Sequence, residues 1–386
     1  MKILFDHQVF SWQQFGGISR YFIELISNLP SNVNAEIAIQ YSNNEYLKNS
    51  GLKRPIDNLF EPIDHFMFGL KFPGRRTLFK YITKNNIIYY PDAYELNKQI
   101  SIELLKKQDF DIFHPTFYDD YFLDYIGSKP YVLDVHDMIH EFFPEMLKDP
   151  ETARRKAILV NKASHIIAVS ENTKKDLIDF LSVPANKISV IYRGNTFNNC
   201  TQSQISNSIP QNYLLFVGER SNYKNFLFLL YAIEPILHEN TNLHLLCTGT
   251  DFDYLEKQYI SSLNIASQVI ASQVNDKDLF TLYSNAKAFI FPSYYEGFGL
   301  PILEAFQAGC PVLLSNTSCF PEIAGNAALY FDPKNIKEIR NVIRTIIQNE
   351  ELRKDLIAKG KEYSTLFSWE LSAKKTYEVY KNIIVS

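Results

Sequence analysis

The stretch FPSYYEGFGLPILEAFQAGCPVLLSN, residues 291–316, decides the fold. It begins at the end of one apolar run, KAFIF, and reaches a second, PVLLS, and both runs have the length of a short buried strand. Between them, a glycine-rich turn precedes a segment with the apolar spacing of a helix. The stretch therefore predicts strand, turn, helix and strand in succession, which is the repeating unit of an open α/β sheet.

The same alternation runs through the rest of the chain. Candidate strands in the first half are KILFD, AEIAIQY, DIFH, PYVLDVHD, SHIIAVS and KISVIY, and those added in the second half are YLLFVG, LHLLCTGT and QVIAS. Amphipathic helices are expected at GGISRYFIELISNL and near residues 224–238, 276–284 and 300–308. The pattern favours mainly parallel sheets with helices on both faces.

A polar run, NTFNNCTQSQISNSIPQN, interrupts this alternation near the middle of the 386-residue chain. We predict a first domain over residues 1–195, a linker over 196–211 and a second domain over 212–367, because a chain of this length exceeds one ordinary core. Open parallel sheets bind ligands beyond the carboxyl ends of their strands. Two facing sheets would therefore place the ligand in the cleft between the domains.

Composition excludes several classes of protein. A hydrophobic share of 46% and a charged share of 21% indicate a folded chain. The net charge of −4, without a large basic block, argues against duplex nucleic acid as the main ligand. The four cysteines are scattered and form no C-x-x-C pair, so we interpret them as reduced packing residues.

No segment has the roughly 18–20 apolar residues that span a bilayer, and we expect a cytoplasmic protein with possible peripheral membrane contact.

Taken together, these segments resemble the glycosyltransferase family 4 enzymes, and the resemblance covers nearly the whole chain. Its most specific part is EGFGLPILE, which is similar to the paired-glutamate motif of that family. The resemblance implies the GT-B fold, in which two Rossmann-like domains face each other across a cleft. It also implies a retaining hexosyltransferase that uses a nucleotide sugar.

The resemblance assigns Glu304 to the ribose hydroxyls and Glu296 to the donor sugar. The turn between them would supply further nucleotide-sugar contacts, at Gly297, Phe298, Gly299 and Leu300. Glycine permits close approach of the backbone, and the start of a helix favours an anion, so a diphosphate suits this place. The alternative is a pair of solvated carboxylates beside a helix cap.

Two cations in VGERSNYKNF, Arg220 and Lys224, resemble the residues that contact the donor diphosphate. Cleavage of the bond between sugar and phosphate leaves negative charge on the β-phosphate, which fixed cations stabilise. An Arg and a Lys at this spacing also occur on solvated helix faces.

LDVHDMIHEFFP resembles the His-Asp segment of the family and makes His136 the candidate beside the donor sugar. His136 would contact the sugar through a ring nitrogen or through its backbone carbonyl, and Asp137 could orient it. His140, one turn further on, could face the acceptor. A structural histidine after a strand is the alternative.

Further segments match the family and complete the predicted site. Gly16 and Gly17 in FGGISRY match the family's glycine turn near the donor phosphates, and a plain tight turn is the alternative. The segment lacks the G-x-G-x-x-G pattern, which argues against an NAD site. Gln273 and Val274 would contact the nucleotide base through their backbone. Ser170 is expected to cap a helix. Residues 368–386 would form a helix that packs back onto the first domain.

The tripeptide DFD occurs at residues 109–111 and 251–253, and such carboxylates can hold a metal ion in other transferases. Local roles explain both copies: Asp111 would open a strand, and Asp251 would cap a helix. We therefore expect no metal and no cofactor.

The segments YEGFGLP and FPEIAGNAALYFDP most resemble mannosyltransferases of bacterial surface polysaccharide synthesis, such as lipopolysaccharide or capsule. This suggests GDP-mannose as donor and a glycan or lipid-linked oligosaccharide as acceptor. A UDP-sugar-dependent glucosyl, galactosyl or N-acetylglucosaminyl transferase, a sugar-nucleotide epimerase and an inactive sugar-binding module remain alternatives. Residues 65–90 combine aromatic and basic side chains, which suits either an anionic lipid surface or a core helix with solvated lysines.

Overall fold

The computed structural model describes residues 1–53, 70, 72–84, 92–147, 149–195, 197, 209–220, 222–274 and 276–385. The strands in these residues are β1 (Lys2–Phe5), β2 (Asn34–Ile37), β3 (Ile112–His114), β4 (Val132–Val135), β5 (His165–Ala168), β6 (Ile188–Val190), β7 (Tyr213–Phe216), β8 (His244–Thr248), β9 (Val269–Ser272), β10 (Ala288–Phe291), β11 (Val312–Ser315) and β12 (Ala328–Phe331). The helices are α1 (Gln8–Trp12), α2 (Gly17–Ser27), α3 (Glu45–Ser50), α4 (Arg75–Lys84), α5 (Ala93–Lys107), α6 (Ile139–Phe142), α7 (Pro144–Leu147), α8 (Pro150–Lys162), α9 (Glu171–Leu181), α10 (Phe226–Glu239), α11 (Tyr254–Ser262), α12 (Asp276–Asn285), α13 (Leu300–Ala308), α14 (Phe320–Ala324), α15 (Ile336–Gln348), α16 (Glu350–Ser364) and α17 (Trp369–Val385).

The first domain contains two groups of parallel strands, β2-β1-β3 and β4-β5-β6. A parallel bridge between Phe113 of β3 and Tyr131, beside β4, joins the groups. Ile3 of β1 lies opposite Ala35 of β2 and Ile112 of β3. Because all the strands run in one direction, the loops that follow them open at one edge of the domain.

The second domain contains one parallel sheet with the order β12-β11-β10-β7-β8-β9. From β7 the chain builds outward through β8 and β9. It then returns to place β10 on the other side of β7 and continues through β11 and β12. The order therefore reverses between β7 and β10, and the crevice beyond the carboxyl ends of these two strands is the usual ligand site in such sheets.

Burial explains why the strands of the second domain are continuous apolar runs. All four residues of β7 and all four of β10 are buried, as expected for parallel strands covered on both faces. Neighbouring residues of β10 point to opposite faces: Phe289 packs in one core cluster with Ile302 of α13, and Ile290 packs in another with Ile233 of α10. The predicted architecture of mainly parallel sheets between helices is thus confirmed.

Helix α17 packs on the first domain. Trp369, Ala373 and Tyr380 are buried in the same cluster as Phe5 and Phe22. The Tyr380 hydroxyl lies 2.6 Å from Nδ1 of His114 on β3. The chain therefore returns to the first domain after it has completed the second.

Some predicted features differ from the structure or lie outside its described residues. Asp253, and not Asp251, caps α11: its side chain accepts from the amide of Glu256, whose carboxylate accepts from the Asp253 amide. This reciprocal capping box satisfies two backbone donors, which a cap at Asp251 would not do. Residues 196 and 198–208 of the predicted linker lie outside the described residues. Of the strip at 65–90, only residues 70 and 72–84 are described.

Candidate functional site

The loops that follow β7 and β10 meet at the point where the strand order reverses. The loop after β7 carries Arg220 and ends in a short 3₁₀ turn, Asn222–Lys224. The loop after β10 leads through Glu296 into α13. A backbone hydrogen bond of 2.9 Å from the Tyr294 amide to the Tyr223 carbonyl holds the two loops together. The topology thus brings two of the predicted motifs into one crevice.

Lys224 and Glu296 form a nearly buried ion pair. Lys224 Nζ lies 2.6 Å from Glu296 Oε1, and the Glu296 amide donates to the Ser318 hydroxyl at 3.2 Å. Burial by itself would lower the pKa of Lys224, but attraction to Glu296 and to Tyr223 outweighs it, and the net pKa is raised. The lysine therefore stays cationic, and the pair presents one positive and one negative group side by side in the crevice.

The glycine-rich turn lies against the first domain. A side chain at Gly297 would collide with the backbone carbonyl of His136, so only glycine fits this contact. The Gly297 carbonyl accepts hydrogen bonds from the hydroxyls of Ser170, at 2.7 Å, and Thr173, at 3.3 Å. Gly299 has a φ of 88°, a left-handed conformation that starts α13. The turn therefore links the two domains at the predicted donor site.

Ser170 caps α9, as predicted. Its side chain accepts from the Thr173 amide at 3.0 Å, while its own hydroxyl donates to Gly297. A single side chain thus ends the loop after β5 and fixes the turn of the facing domain.

Glu304 lies on α13, in its second turn, and is buried. Its Oε2 accepts from the Tyr283 hydroxyl at 3.2 Å. Burial, together with the Glu304 carboxylate, raises the pKa of Tyr283 well above its ordinary value, so the phenol remains a donor. Tyr283 thereby holds this carboxylate in place at neutral pH.

Arg220 is held by the loop after β8. Its Nε lies 2.8 Å from Glu256 Oε1, and its Nη2 donates to the carbonyls of Thr250, at 2.9 Å, and Asp251, at 3.1 Å. The guanidinium carbon also lies 4.9 Å from the ring centroid of Phe252. These contacts fix the cation on the wall of a cavity of about 640 Å³. Met146 of the first domain lines the same cavity, which therefore lies between the domains.

His136 is buried at the end of β4, 5% exposed. Its amide donates to the Tyr118 hydroxyl at 3.2 Å, and its Nδ1 lies 2.6 Å from Arg193 Nη2. Asp137, which was expected to orient this ring, instead accepts from the Ile139 amide at 3.0 Å, and the ring nitrogen Nδ1 contacts Arg193. Burial, followed by the charges of Arg193 and Lys156, lowers the pKa of His136 well below its ordinary value.

The remaining predicted residues lie around these groups. A Cβ at Gly17 would lie 3.7 Å from the Leu300 side chain, so the glycine turn of the first domain adjoins α13. Gln273 and Val274 follow β9 at the outer edge of the sheet, where Gln273 is exposed and Val274 packs against the core. His140 lies 3.8 Å from Asp149, and burial lowers its pKa.

Sequence reasoning missed the side chains that hold the predicted ones. Arg193, Glu256, Tyr283 and Ser318 each contact a candidate site residue, and none of them was predicted to belong to the site. The capping-box spacing of Asp253 and Glu256 was the single available signal for Glu256. The other three become partners only through the tertiary fold.

The described residues offer neither a cluster of metal ligands nor a membrane-spanning helix. No group of three or more His, Cys, Asp or Glu side chains there could hold a metal ion. None of the helices in that part of the chain is long and apolar enough to cross a membrane.

Solved structures share this architecture. The Anabaena protein HepE, solved in complex with UDP and glucose, aligns with a TM-score of 0.71 and 18% identity, over 99% of this chain and 100% of the other. Sucrose-phosphate synthase from Thermosynechococcus elongatus aligns with the same TM-score and identity, over 100% of this chain and 99% of the other. The fold is therefore the GT-B fold of glycosyltransferases, as predicted.

Two family models match the sequence. Residues 15–195 match Glycosyltransferase Family 4, and residues 201–363 match Glycosyl transferases group 1. Together the two matches take in both domains, so each half of the chain belongs to a glycosyltransferase family.

Relatives with assigned names include O-antigen mannosyltransferases. O-antigen chain mannosyltransferase B of Escherichia coli is 30% identical over 239 residues, which span 58% of this chain and 61% of the relative. O-antigen chain mannosyltransferase RfbU of Salmonella typhimurium is 30% identical over 219 residues, which span 56% of this chain and 60% of the relative. The similarity thus extends over less than two thirds of the length of either relative.

Proposed function

We propose that this protein transfers a hexose from a nucleotide sugar to a glycan or lipid-linked oligosaccharide in bacterial surface polysaccharide synthesis. The observation that carries the proposal is the nearly buried pair of Lys224 and Glu296, whose Nζ and Oε1 atoms lie 2.6 Å apart where the strand order reverses. A diphosphate needs a cation, and sugar hydroxyls need an acceptor. The pair supplies both within the reach of one donor molecule.

Each remaining polar group has a role in this proposal. Arg220 and Lys224 stabilise the charge that develops on the leaving diphosphate. Glu304 accepts hydrogen bonds from the ribose hydroxyls, and Glu296 accepts them from the sugar. His136 contacts the sugar from the first domain, and the backbone of Gln273 and Val274 meets the base. Because Gly297 lies against the His136 carbonyl, both domains contribute to one site.

The proposed donor is GDP-mannose, and no metal takes part. Relatives named as mannosyltransferases support mannose. A UDP-sugar is the second candidate, because several structures of this fold are complexes with UDP, among them those of HepE. Transfer with retention of the anomeric configuration is part of the proposal, and it rests on the resemblance to family 4. Glu296 is paired with Lys224, and Glu304 would hold the ribose, so neither glutamate is assigned as a nucleophile. We therefore propose that the acceptor attacks on the same face of the sugar from which the diphosphate departs.

We further propose that the protein works at the cytoplasmic face of the membrane. Helix α4 supports peripheral contact, because Arg76, Leu78, Lys80 and Tyr81 are all exposed on it. Basic and apolar side chains on one short helix suit an anionic lipid surface. The triple substitution of Arg75, Arg76 and Lys80 by Ser should abolish liposome association, and unchanged association would exclude this contact.

Calorimetric titration with GDP, UDP, ADP and NAD, with and without EDTA, tests the donor site. We expect selective binding of GDP that EDTA does not alter. Selective binding of UDP would assign the second candidate donor. A requirement for a divalent ion would contradict metal independence, and the absence of any nucleotide binding would favour an inactive sugar-binding module.

A further inference from the structure

A buried arginine lies behind the His136 ring. Arg193 follows β6 and is 7% exposed, and its Nη2 lies 2.6 Å from His136 Nδ1. The guanidinium carbon lies 5.1 Å from the ring centroid of Tyr21, which also packs edge-on against His136. Packing from two sides therefore fixes both the arginine and the imidazole.

The chemistry of the two groups determines which ring nitrogen carries the proton. Every nitrogen of a guanidinium is a donor, and arginine stays protonated in proteins. The contact at 2.6 Å therefore requires a lone pair on His136 Nδ1. In a neutral ring the proton must then be on Nε2. Among the described residues no protein group is bonded to this nitrogen, so its N–H is available to a ligand.

The surrounding charges keep the ring neutral. Several titratable or charged residues surround it. They are Arg193, Lys156 of α8, His114 of β3, Tyr21, Tyr118, and Asp134 and Asp137 on its own strand and loop. Both carboxylates have partners of their own: Asp134 bonds His114 at 3.0 Å, and Asp137 accepts from Ile139. A second proton, added at Nδ1, would place two positive charges and two donors against each other.

We propose that Arg193 is a positioning residue that fixes His136 as the neutral Nε2–H tautomer, so that Nε2 donates a hydrogen bond to an acceptor oxygen of the bound ligand. The ligand oxygen is a hydroxyl or ring oxygen of the donor sugar, which rests on the proposed function. An imidazole held this way donates one hydrogen bond in a fixed direction and adds no charge beside the leaving diphosphate. Of the residues assigned to the site, Arg220 and Lys224 then supply the positive charge that attracts the diphosphate.

Nuclear magnetic resonance of ¹⁵N-histidine-labelled protein tests this inference without reference to turnover. A His136→Gln variant identifies the ring signals. In the unsubstituted protein we expect a protonated Nε2, an unprotonated Nδ1 and a ring that remains neutral more than one pH unit below the ordinary histidine pKa. Arg193→Met, which removes the donors, should give mixed tautomers and a titration at higher pH. Arg193→Gln, which keeps an N–H donor without the charge, should preserve the tautomer.

The pH dependence of kcat/KM connects the ring to transfer. We expect the acidic limb in Arg193→Met to move upward by at least one pH unit, and the limb in Arg193→Gln to move less. A ring that carries its proton on Nδ1, or ring signals that Arg193→Met leaves unchanged, would overturn the inference. If the ring signals change while the acidic limb stays in place, the positioning of the ring stands and the assignment of His136 to the donor sugar is contradicted.

Discussion

At the scale of single residues, the two glutamates differ in their surroundings and therefore in their expected roles. Glu296 is paired with Lys224, whereas Glu304 is held by the Tyr283 hydroxyl. We expect Glu304→Ala to weaken nucleotide binding. Glu296→Ala should preserve it, because Lys224 is released to meet the diphosphate, while transfer is lost.

Calorimetry with the nucleotide and a transfer assay separate these effects. Glu378→Ala is a matched control, because Glu378 is an exposed residue of α17 that pairs with Lys381. Equal loss of nucleotide affinity in both site variants would refute the division of roles.

Lys224 and Arg220 each face the predicted position of the leaving diphosphate. Removal of one donor to a developing charge typically reduces kcat by about 100-fold to 1,000-fold. We expect a loss of this size for Lys224→Met and for Arg220→Ala. Steady-state kinetics measures it, with Lys354→Met on α16 as the charge-matched control at an exposed position. If a variant had a kcat within a few-fold of that of the unsubstituted enzyme, the substituted cation would have no catalytic role.

His7, which precedes α1, makes the free energy of unfolding depend on pH. Burial lowers its pKa from 6.5 to about 3. The unfolded chain binds a proton below 6.5 that the folded chain binds only near 3, so acid favours unfolding. The free energy of unfolding should fall between these values by up to about 1.4 kcal/mol per pH unit from this residue. Urea titrations of His7→Phe should show a shallower dependence, and equal slopes would contradict the assignment.

At the scale of elements, the glycine-rich turn before α13 sets how closely the domains approach. A Cβ at Gly297 meets a backbone atom, which cannot rotate away, whereas one at Gly17 makes an ordinary contact with Leu300. Forced packing of this kind typically costs about 1–3 kcal/mol. Gly297→Ala should therefore lower the thermal midpoint by several degrees, and the matched variant Gly17→Ala should not. Equal midpoints in calorimetry would show that the turn can move away.

The elements themselves were predictable to different degrees. The strands β7 and β10 were visible because parallel strands buried on both faces are continuous apolar runs, YLLF and AFIF. The start of α13 was visible from its glycines and Pro301. The cap of α11 was assigned to Asp251 instead of Asp253, because two aspartates two positions apart carry the same local signal. The contact between Arg193 and His136 joins residues 57 positions apart, and no local pattern encodes it.

At the scale of the whole molecule, the site depends on both domains. Motifs found after individual strands converge because each sheet opens at the carboxyl ends of its strands. The hydrogen bonds from Ser170 and Thr173 to the Gly297 carbonyl connect the loop after β5 in the first domain to the loop after β10 in the second. Helix α17 follows the second domain in sequence but packs in the core of the first, so the chain crosses between the domains twice. Sequence order could predict the two sheets, but the partners across the cleft required the folded molecule.

Release of GDP from GDP-mannose in the presence of a lipid-linked oligosaccharide acceptor fraction tests the central claim most directly. The account predicts acceptor-dependent release by the unsubstituted protein, unchanged by EDTA, lost in Glu296→Ala and retained in Glu378→Ala. The mannose should appear in the acceptor with the anomeric configuration that it had in the donor. Release at the same rate by the Glu296 variant, or no release with either GDP-mannose or UDP-sugars, would contradict the claim that this crevice is a glycosyltransferase active site.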